Sequence, residues 1–438
     1  MERDDRLWWI TGTVLLGGIM GILDGTMVAA AAGTLAAEFG ASLGAIGWVS
    51  TAYLLALTLT IPVTTWIAAR HGGRRPWLWA LALFLAASLA CGLAWNEAGL
   101  IAFRVVQGIG AGILDPLVLV LLARAAGPAR AGRVMGLMAG VLSLGPVLGP
   151  VVGGLVLDTL GWRWMFLINL PIGAAALLGA LRFLPRDAPP PGNAPRLDVF
   201  GLALLAPGFA ALIHALSHGT TPWLLLPPAV LLAAYTAHAL RRTDPLIDPR
   251  LLARPGFAAS VIAMGLTGLA MYAILFALPL YHQRDHGALA AGLLLAPFGV
   301  ASALAAPVAG RLTERYGPRG IVRTGTLTAL LGALALTRAE GPLWPTLAAT
   351  VAGIGLGFVG AATMGSLYRA LPAPLVPQGS SLLYMLNQLG ASIGIAAVTL
   401  IVPSWGPHAA YWLVTAAAVL TLAGTPLLPA RPERLVKA

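Results

Sequence analysis

The chain has 438 residues, 58% of them hydrophobic and only 10% charged, with a mean hydropathy of +0.84. That balance describes a protein whose solvent is mostly lipid and excludes a water-soluble domain. A formal net charge of +11 would suit a nucleic-acid partner, but the arginines are spread through short loops rather than gathered on one element, which excludes that class as well.

Hydropathy predicts fourteen apolar segments, near 7–33, 45–69, 77–95, 99–123, 134–157, 164–184, 198–217, 223–240, 257–281, 289–310, 321–337, 344–368, 379–402 and 409–428. Each is roughly the length a helix needs to cross ~30 Å of hydrocarbon, so the expected fold class is an all-α polytopic membrane protein with fourteen transmembrane helices. The first segment follows Arg3 and Arg6 and ends in alanines, as a signal peptide does. Its length, Asp24 near its end and the many spans that follow make it a retained helix. With the N-terminus in the cytoplasm, 23 of the 27 lysines and arginines fall on the inner side; Arg104 lies within a span, and only Arg163, Arg284 and Arg338 lie outside. This is the positive-inside pattern, and it places both termini in the cytoplasm of a cell (inner) membrane protein.

Linkers are short, the longest near 241–256, which leaves little chain for a catalytic head. Lys437 is the single lysine, so a phosphate-binding loop of the G-x-x-x-x-G-K type is excluded. Cys91 is the single cysteine and lies in an apolar helix, which excludes a disulfide and a thiolate zinc site. Two histidine pairs have i, i+4 spacing, His214 with His218 and His282 with His286. Both fall at expected outer helix ends, where a solvated rim is a better reading than a metal site. Neither a metal nor an enzyme activity is expected.

An internal repeat marks the inner ends of two spans: residues 66–74 read WIAARHGGR and residues 311–319, after Gly310, read RLTERYGPR, an offset of 245. Residues 1–184 and 257–438 are then two copies of a six-helix half, and residues 185–256 carry two inserted helices with their flanking loops. Halves of this kind, related by an axis along the membrane normal, enclose a substrate site between them near the midplane.

Four motifs carry a more specific resemblance: LDGTMVAAA at 23–31, RVVQGIGAG at 104–112, GPVLGPVVGG at 145–154 and WRWMFLINLPIG at 162–173. With these the chain resembles, over essentially its whole length, the fourteen-spanner drug/proton antiporter branch of the major facilitator superfamily. The resemblance implies that the acid of the first span, Asp24, couples protons and that Arg104 controls it. It implies an antiporter motif at Gly145, Pro146, Gly149, Pro150, Gly153 and Gly154 that seals the outward leak path. Glycines four apart share one helix face and admit a close neighbour, while the prolines bend the helix. A cytoplasmic gate is implied at Arg70, Gly72, Arg74 and Arg75 and, in the second copy, at Gly310, Glu314, Arg315 and Gly317. Two departures are plain. Ala30 stands where the family often has asparagine, and Thr65 and Ala69 replace the glycine and acid of the first gate.

Ionisable groups inside spans cost ~2.5–3.5 kcal/mol each even on the mildest scale and so mark chemistry. Three qualify: Asp24, Arg104 and Asp115. Counted from their helix starts, Asp24 and Arg104 lie at similar depth in the outer half, so they can form a proton switch or a permanent structural pair. Asp115 is eleven residues after Arg104, about 16 Å further in on nearly the same face. A second proton site, a counter-charge for a cationic substrate and a local role beside Pro116 all remain open for it. The second half offers a softer set for a substrate cavity: Met271, Tyr272, Phe276, Met364, Tyr384, Asn387 and Gln388. The function expected is proton-coupled efflux of lipophilic, even cationic, drugs or small metabolites by a monomer in contact with membrane lipids. It is driven by the proton-motive force without a cofactor. A narrow exporter of a secondary metabolite or lipid, or a facilitator importing a metabolite, would share most of these motifs.

Overall fold

The computed structural model describes residues 3–187, 197–217, 222–242, 245–282, 287–338, 340–371 and 376–428. Among them every regular element is helical. The α-helices are α1 (Arg3–Met27), α2 (Ala32–Phe39), α3 (Leu43–His71), α4 (Arg74–Gly92), α5 (Glu97–Leu160), α6 (Trp164–Leu167), α7 (Asn169–Phe183), α8 (Val199–Ser217), α9 (Leu226–Arg241), α10 (Pro255–His282), α11 (Ala288–Tyr316), α12 (Pro318–Leu336), α13 (Leu343–Ala370), α14 (Val376–Trp405) and α15 (Pro407–Gly424).

Local chemistry sets the helix ends. Ser42 accepts from the Ala45 N–H at 3.2 Å to start α3, and Asn96 accepts from the Gly99 N–H at 2.7 Å to start α5, each satisfying a donor that the first turn leaves free. Within the spans, threonines donate back to the carbonyl four residues earlier, as Thr11 does to Leu7, Thr58 to Leu54 and Thr267 to Ala263. A hydroxyl satisfied inside its own helix is tolerable where no water reaches. Large aromatics near helix ends stay outward: Trp95 is 73% and Trp405 79% exposed, placed as aromatic residues at a membrane–water boundary are.

Eleven described stretches are long and apolar enough to cross a membrane. The other three expected spans are helical as well. The 134–157 segment lies within α5 and the 198–217 segment is α8, with Leu148–Leu160 and Val199–Ala215 the apolar runs among their described side chains. The 321–337 segment is α12, whose first turns carry Arg319 and Arg323. The two segments expected at 99–123 and 134–157 are joined in one 64-residue helical run, α5. A straight rod of that length would measure ~96 Å. Val118 lies against Gly18 and Gly145 against Ile22, however, so two sites far apart in α5 meet sites one turn apart in α1. The run therefore doubles back between them.

The chain forms two compact units, Met1–Ala206 with Asp285–Leu293, and Pro207–Arg284 with Leu294–Ala438. In the first, α5 packs on α1, α3 and α4, and α7 on α1; in the second, α10 packs on α14 and α15, and α12 on α13. The 245-residue repeat is visible in the backbone. α3 and α11 are each 29 residues long with equivalent ends, and the left-handed glycines that follow them, Gly72 (φ 81°) and Gly317 (φ 86°), share the offset. So do Gly161 (φ 86°) and Gly406 (φ 77°). These are backbone conformations that only glycine adopts freely, recurring at matched positions.

Candidate functional site

Three helices of the first unit converge on Asp24. Gly21 and Gly25 flank it on α1 and leave room for neighbours: a Cβ on Gly25 would lie 3.3 Å from the Tyr53 ring of α3. Arg104 and Gln107 come from α5, where a spacing of three puts them on one face, and Asn169 begins α7. Asp24 is 1% and Arg104 0% exposed.

The Arg104 guanidinium pairs through Nη1 with Asp24 Oδ2. Nη1 also donates to Gln107 Oε1 at 2.7 Å, and Nε donates to the Val49 carbonyl at 3.0 Å. The other carboxylate oxygen, Asp24 Oδ1, accepts from Gln107 Nε2 at 3.0 Å and Asn169 Nδ2 at 2.8 Å. Gln107 Nε2 also donates to Ser88 Oγ at 2.7 Å. The guanidinium lies 3.9 Å over the Tyr53 ring, whose hydroxyl donates to the Gly21 carbonyl at 2.9 Å. Separating two charges from water costs several kcal/mol per ion, and only such a full shell of partners offsets it. One group is left over: Arg104 Nη2 is buried without an acceptor among the described residues.

Similar depth thus brings Asp24 and Arg104 together. Gln107, Ser88, Asn169 and Tyr53 complete the cluster, and sequence reasoning singled out none of them, although Gln107 and Asn169 lie inside the quoted motifs. Uncharged polar residues carry no hydropathy penalty large enough to flag them. Cys91, expected in an apolar helix, is fully buried with its Sγ 3.7 Å from Gln107 Oε1.

Asp115 stands apart from this network. It faces Gly21 of α1, where a Cβ would come within 3.0 Å of its Oδ1, and that oxygen is buried with no partner among the described residues. One turn of α1 therefore separates a carboxylate with both oxygens partnered from one whose Oδ1 has no partner among the described residues.

The glycine stripe of α5 follows α1 down from the same region. Gly145 meets Ile22, Gly149 meets the Thr26 side chain, and Gly153 lies 3.0 Å, measured from its ideal Cβ, from the Met27 carbonyl. Gly154 abuts Ala288 and Leu289, and Pro150 lies beside Gly292. The side chain of Pro146 lies outside the described residues.

At the loop expected to form the first gate, an acid comes from elsewhere in the chain. Asp187, which follows α7, accepts through Oδ1 from the N–H groups of Gly73 and Arg74 at 2.7 and 2.9 Å, and through Oδ2 from that of Arg75 at 2.9 Å. Arg74 Nη2 donates to the Leu181 carbonyl at 3.0 Å. Arg70 is exposed, 5.8 Å from the Trp66 ring. In the second copy Arg315 lies 5.2 Å over Tyr316, and the Glu314 side chain lies outside the described residues, as do His218 and His286. His214 is exposed as a rim residue would be, but His282 is 2% exposed and packs against Tyr281, so the solvated-rim expectation fails for it. His282 closes α10 with its ring 5.2 Å from that of Tyr281 and its side chain shielded from solvent.

In the second unit Met271, Tyr272, Met364, Tyr384 and Asn387 are half-buried, whereas Gln388 is buried and Phe276 is 1% exposed. Phe276 fills the packed interior instead of an accessible wall. Asn387 Nδ2 donates to the Met264 carbonyl at 3.1 Å across the close α10–α14 contact.

The family model described as Major Facilitator Superfamily matches residues 14–283 and again 260–437. The chain belongs to the major facilitator superfamily. This transporter is 36% identical over 408 residues to a multidrug resistance protein B homolog of Mycobacterium tuberculosis, covering 89% of this chain and 75% of that one. It is 32% identical over 439 residues to a methylenomycin A resistance protein of Streptomyces coelicolor, covering 95% and 91%. These relatives place the transporter in the drug-efflux branch. In fold it is similar to the inward-open xylose transporter XylE of E. coli, with a TM-score of 0.68, 16% identity and 98% of both chains covered.

Proposed function

We propose that this transporter exports lipophilic molecules from the cytoplasm in exchange for protons, by alternating access, through fourteen membrane spans with both termini inside. The observation that carries the reading is the buried Asp24–Arg104 pair. Its carboxylate is held by charge and amide donors alone, so a proton arriving on Asp24 removes the ionic hold on Arg104 and leaves the guanidinium with only the neutral Gln107 and Val49 oxygens and the Tyr53 ring. Coupling requires such a difference between two states.

Asp115 takes the other half of the exchange. Its partnerless oxygen costs free energy until a cation or a proton joins it, and a basic nitrogen on the cargo meets that need. Half-buried Met271, Tyr272, Met364 and Tyr384 supply an adaptable apolar surface. One proton moving down ~100 mV releases about 2.3 kcal/mol, which at ~1.4 kcal/mol per decade supports roughly a fifty-fold gradient of neutral cargo.

The test is dye accumulation in efflux-deficient cells with surface-matched expression, with and without a protonophore. The wild type lowers accumulation of a lipophilic cation dye only while the proton gradient stands, and Asp24→Asn abolishes the effect. Efflux that persists in Asp24→Asn removes Asp24 from coupling; no efflux of any dye by the wild type turns the reading to a narrow exporter of one metabolite.

A further inference from the structure

The second unit carries a groove of about 560 Å³ between the start of α12 and the end of α15, lined by Tyr316, Arg319, Arg323, Leu327, Leu422 and Pro426 among others. Neither the proton pair nor the half-buried cavity residues reach it. Arg319, Arg323 and Leu327 follow one another at a spacing of four and so descend one face of α12, while Tyr316 closes α11 beside them. Both arginines are exposed, and neither has an ion pair among the described residues. About 12 Å separates the level of Arg319 from that of Leu327, eight residues on. Over that distance the wall changes from cationic to apolar, with Leu327 41% exposed to the outside.

We propose that this groove binds one anionic glycerophospholipid of the arginine-rich leaflet. The phosphodiester lies between the two guanidinium groups, which present planar forks of donors that match phosphate oxygens. The upper acyl carbons run along Leu327, Leu422 and Pro426. Tyr316 provides an amphipathic ring at the boundary. Charge complementarity selects an anionic headgroup over a zwitterionic one, and the apolar lower wall selects a lipid over a free phosphate. The site adds a lipid requirement on one helix pair of the second unit, independent of what the transporter carries.

Native mass spectrometry of the purified, delipidated full chain tests this, titrated with dioleoyl phosphatidylglycerol, with dioleoyl phosphatidylcholine, and with phosphatidylglycerol in the presence of inorganic phosphate. Each arginine near an anionic headgroup is worth about five-fold in affinity, so Arg319→Gln/Arg323→Gln binds the first phosphatidylglycerol about thirty-fold more weakly than wild type. Arg241→Gln/Arg242→Gln, which removes two arginines elsewhere, leaves that binding unchanged. Should the double variant not fold, Arg319→Gln and Arg323→Gln are each expected to lose about five-fold. The proposal is overturned by equal binding of the two lipids, by equal losses in both double variants, by retained affinity in the groove variants, or by displacement of phosphatidylglycerol by millimolar phosphate.

Discussion

Arg104 does three things at once: it neutralises Asp24, positions Gln107 and stacks on Tyr53. A lysine reproduces only the first. Arg104→Lys is therefore expected to lose proton-driven transport although the charge is conserved. Truncation to Arg104→Ala leaves Asp24 as an uncompensated buried charge, at a cost of about 3–5 kcal/mol. Asp24→Asn/Arg104→Gln should restore most of that stability in thermal unfolding without restoring transport, which separates folding from coupling. Asn169→Ala removes one donor from Asp24; hydrogen bonds to charged groups are worth ~1.5–3 kcal/mol, so uptake driven by a pH step should fall about ten-fold or more. At Asp115 the measurement is a preference. Asp115→Asn should lose transport of a cationic dye relative to a neutral one of similar size, and equal losses for both would end its role in reading cargo charge. The charged pair was legible in the sequence because hydropathy singles out ionisable groups in spans. Its amide and hydroxyl partners were not, since Asn169 reaches Asp24, and Ser88 reaches Gln107 and Asn169, only through the packing of α4 and α7.

The stripe of α5 acts as an element. A Cβ on Gly149 would fall on Thr26, so Gly149→Ala should destabilise by about 1–3 kcal/mol, as overpacking does. Gly12→Ala, with nothing within 4 Å of the added carbon, should be neutral or stabilising in the same melt, since alanine is the better helix former. Similar shifts for the two would show that α1 and α5 are not in tight contact. Asp187→Asn probes the start of α4: its carboxylate accepts from three N–H groups, and weakening such a cap costs ~0.5–2 kcal/mol. Helix existence and approximate extent followed from hydropathy, as α3, α10 and α13 illustrate. What hydropathy did not reveal was that helical backbone continues through α5 across Arg124, Gly127, Pro128, Arg130 and Arg133, a stretch that reads as a loop in sequence. Asp187 escaped notice because it belongs to a loop in sequence and meets the start of α4 only in space.

Across the whole chain, the duplication legible in two short loop motifs extends to helix lengths and to paired left-handed glycines, Gly72 with Gly317 and Gly161 with Gly406. Among the described residues the chemistry is not duplicated: the buried ion pair and Asp115, whose Oδ1 lacks a partner, both belong to the first unit, whereas the second offers half-buried methionine and aromatic side chains. That asymmetry supports a division in which one unit handles the proton and the charge of the cargo while the other supplies adaptable apolar surface. The most direct test of proton exchange at Asp24 uses purified protein in sealed proteoliposomes holding a pH-sensitive dye, with a lipophilic cation gradient imposed in the absence of any pH gradient. The account predicts that cation flux through the wild type drives protons the opposite way, and that Asp24→Asn moves none. Cation flux without proton movement in the wild type, or undiminished proton movement in Asp24→Asn, would contradict it.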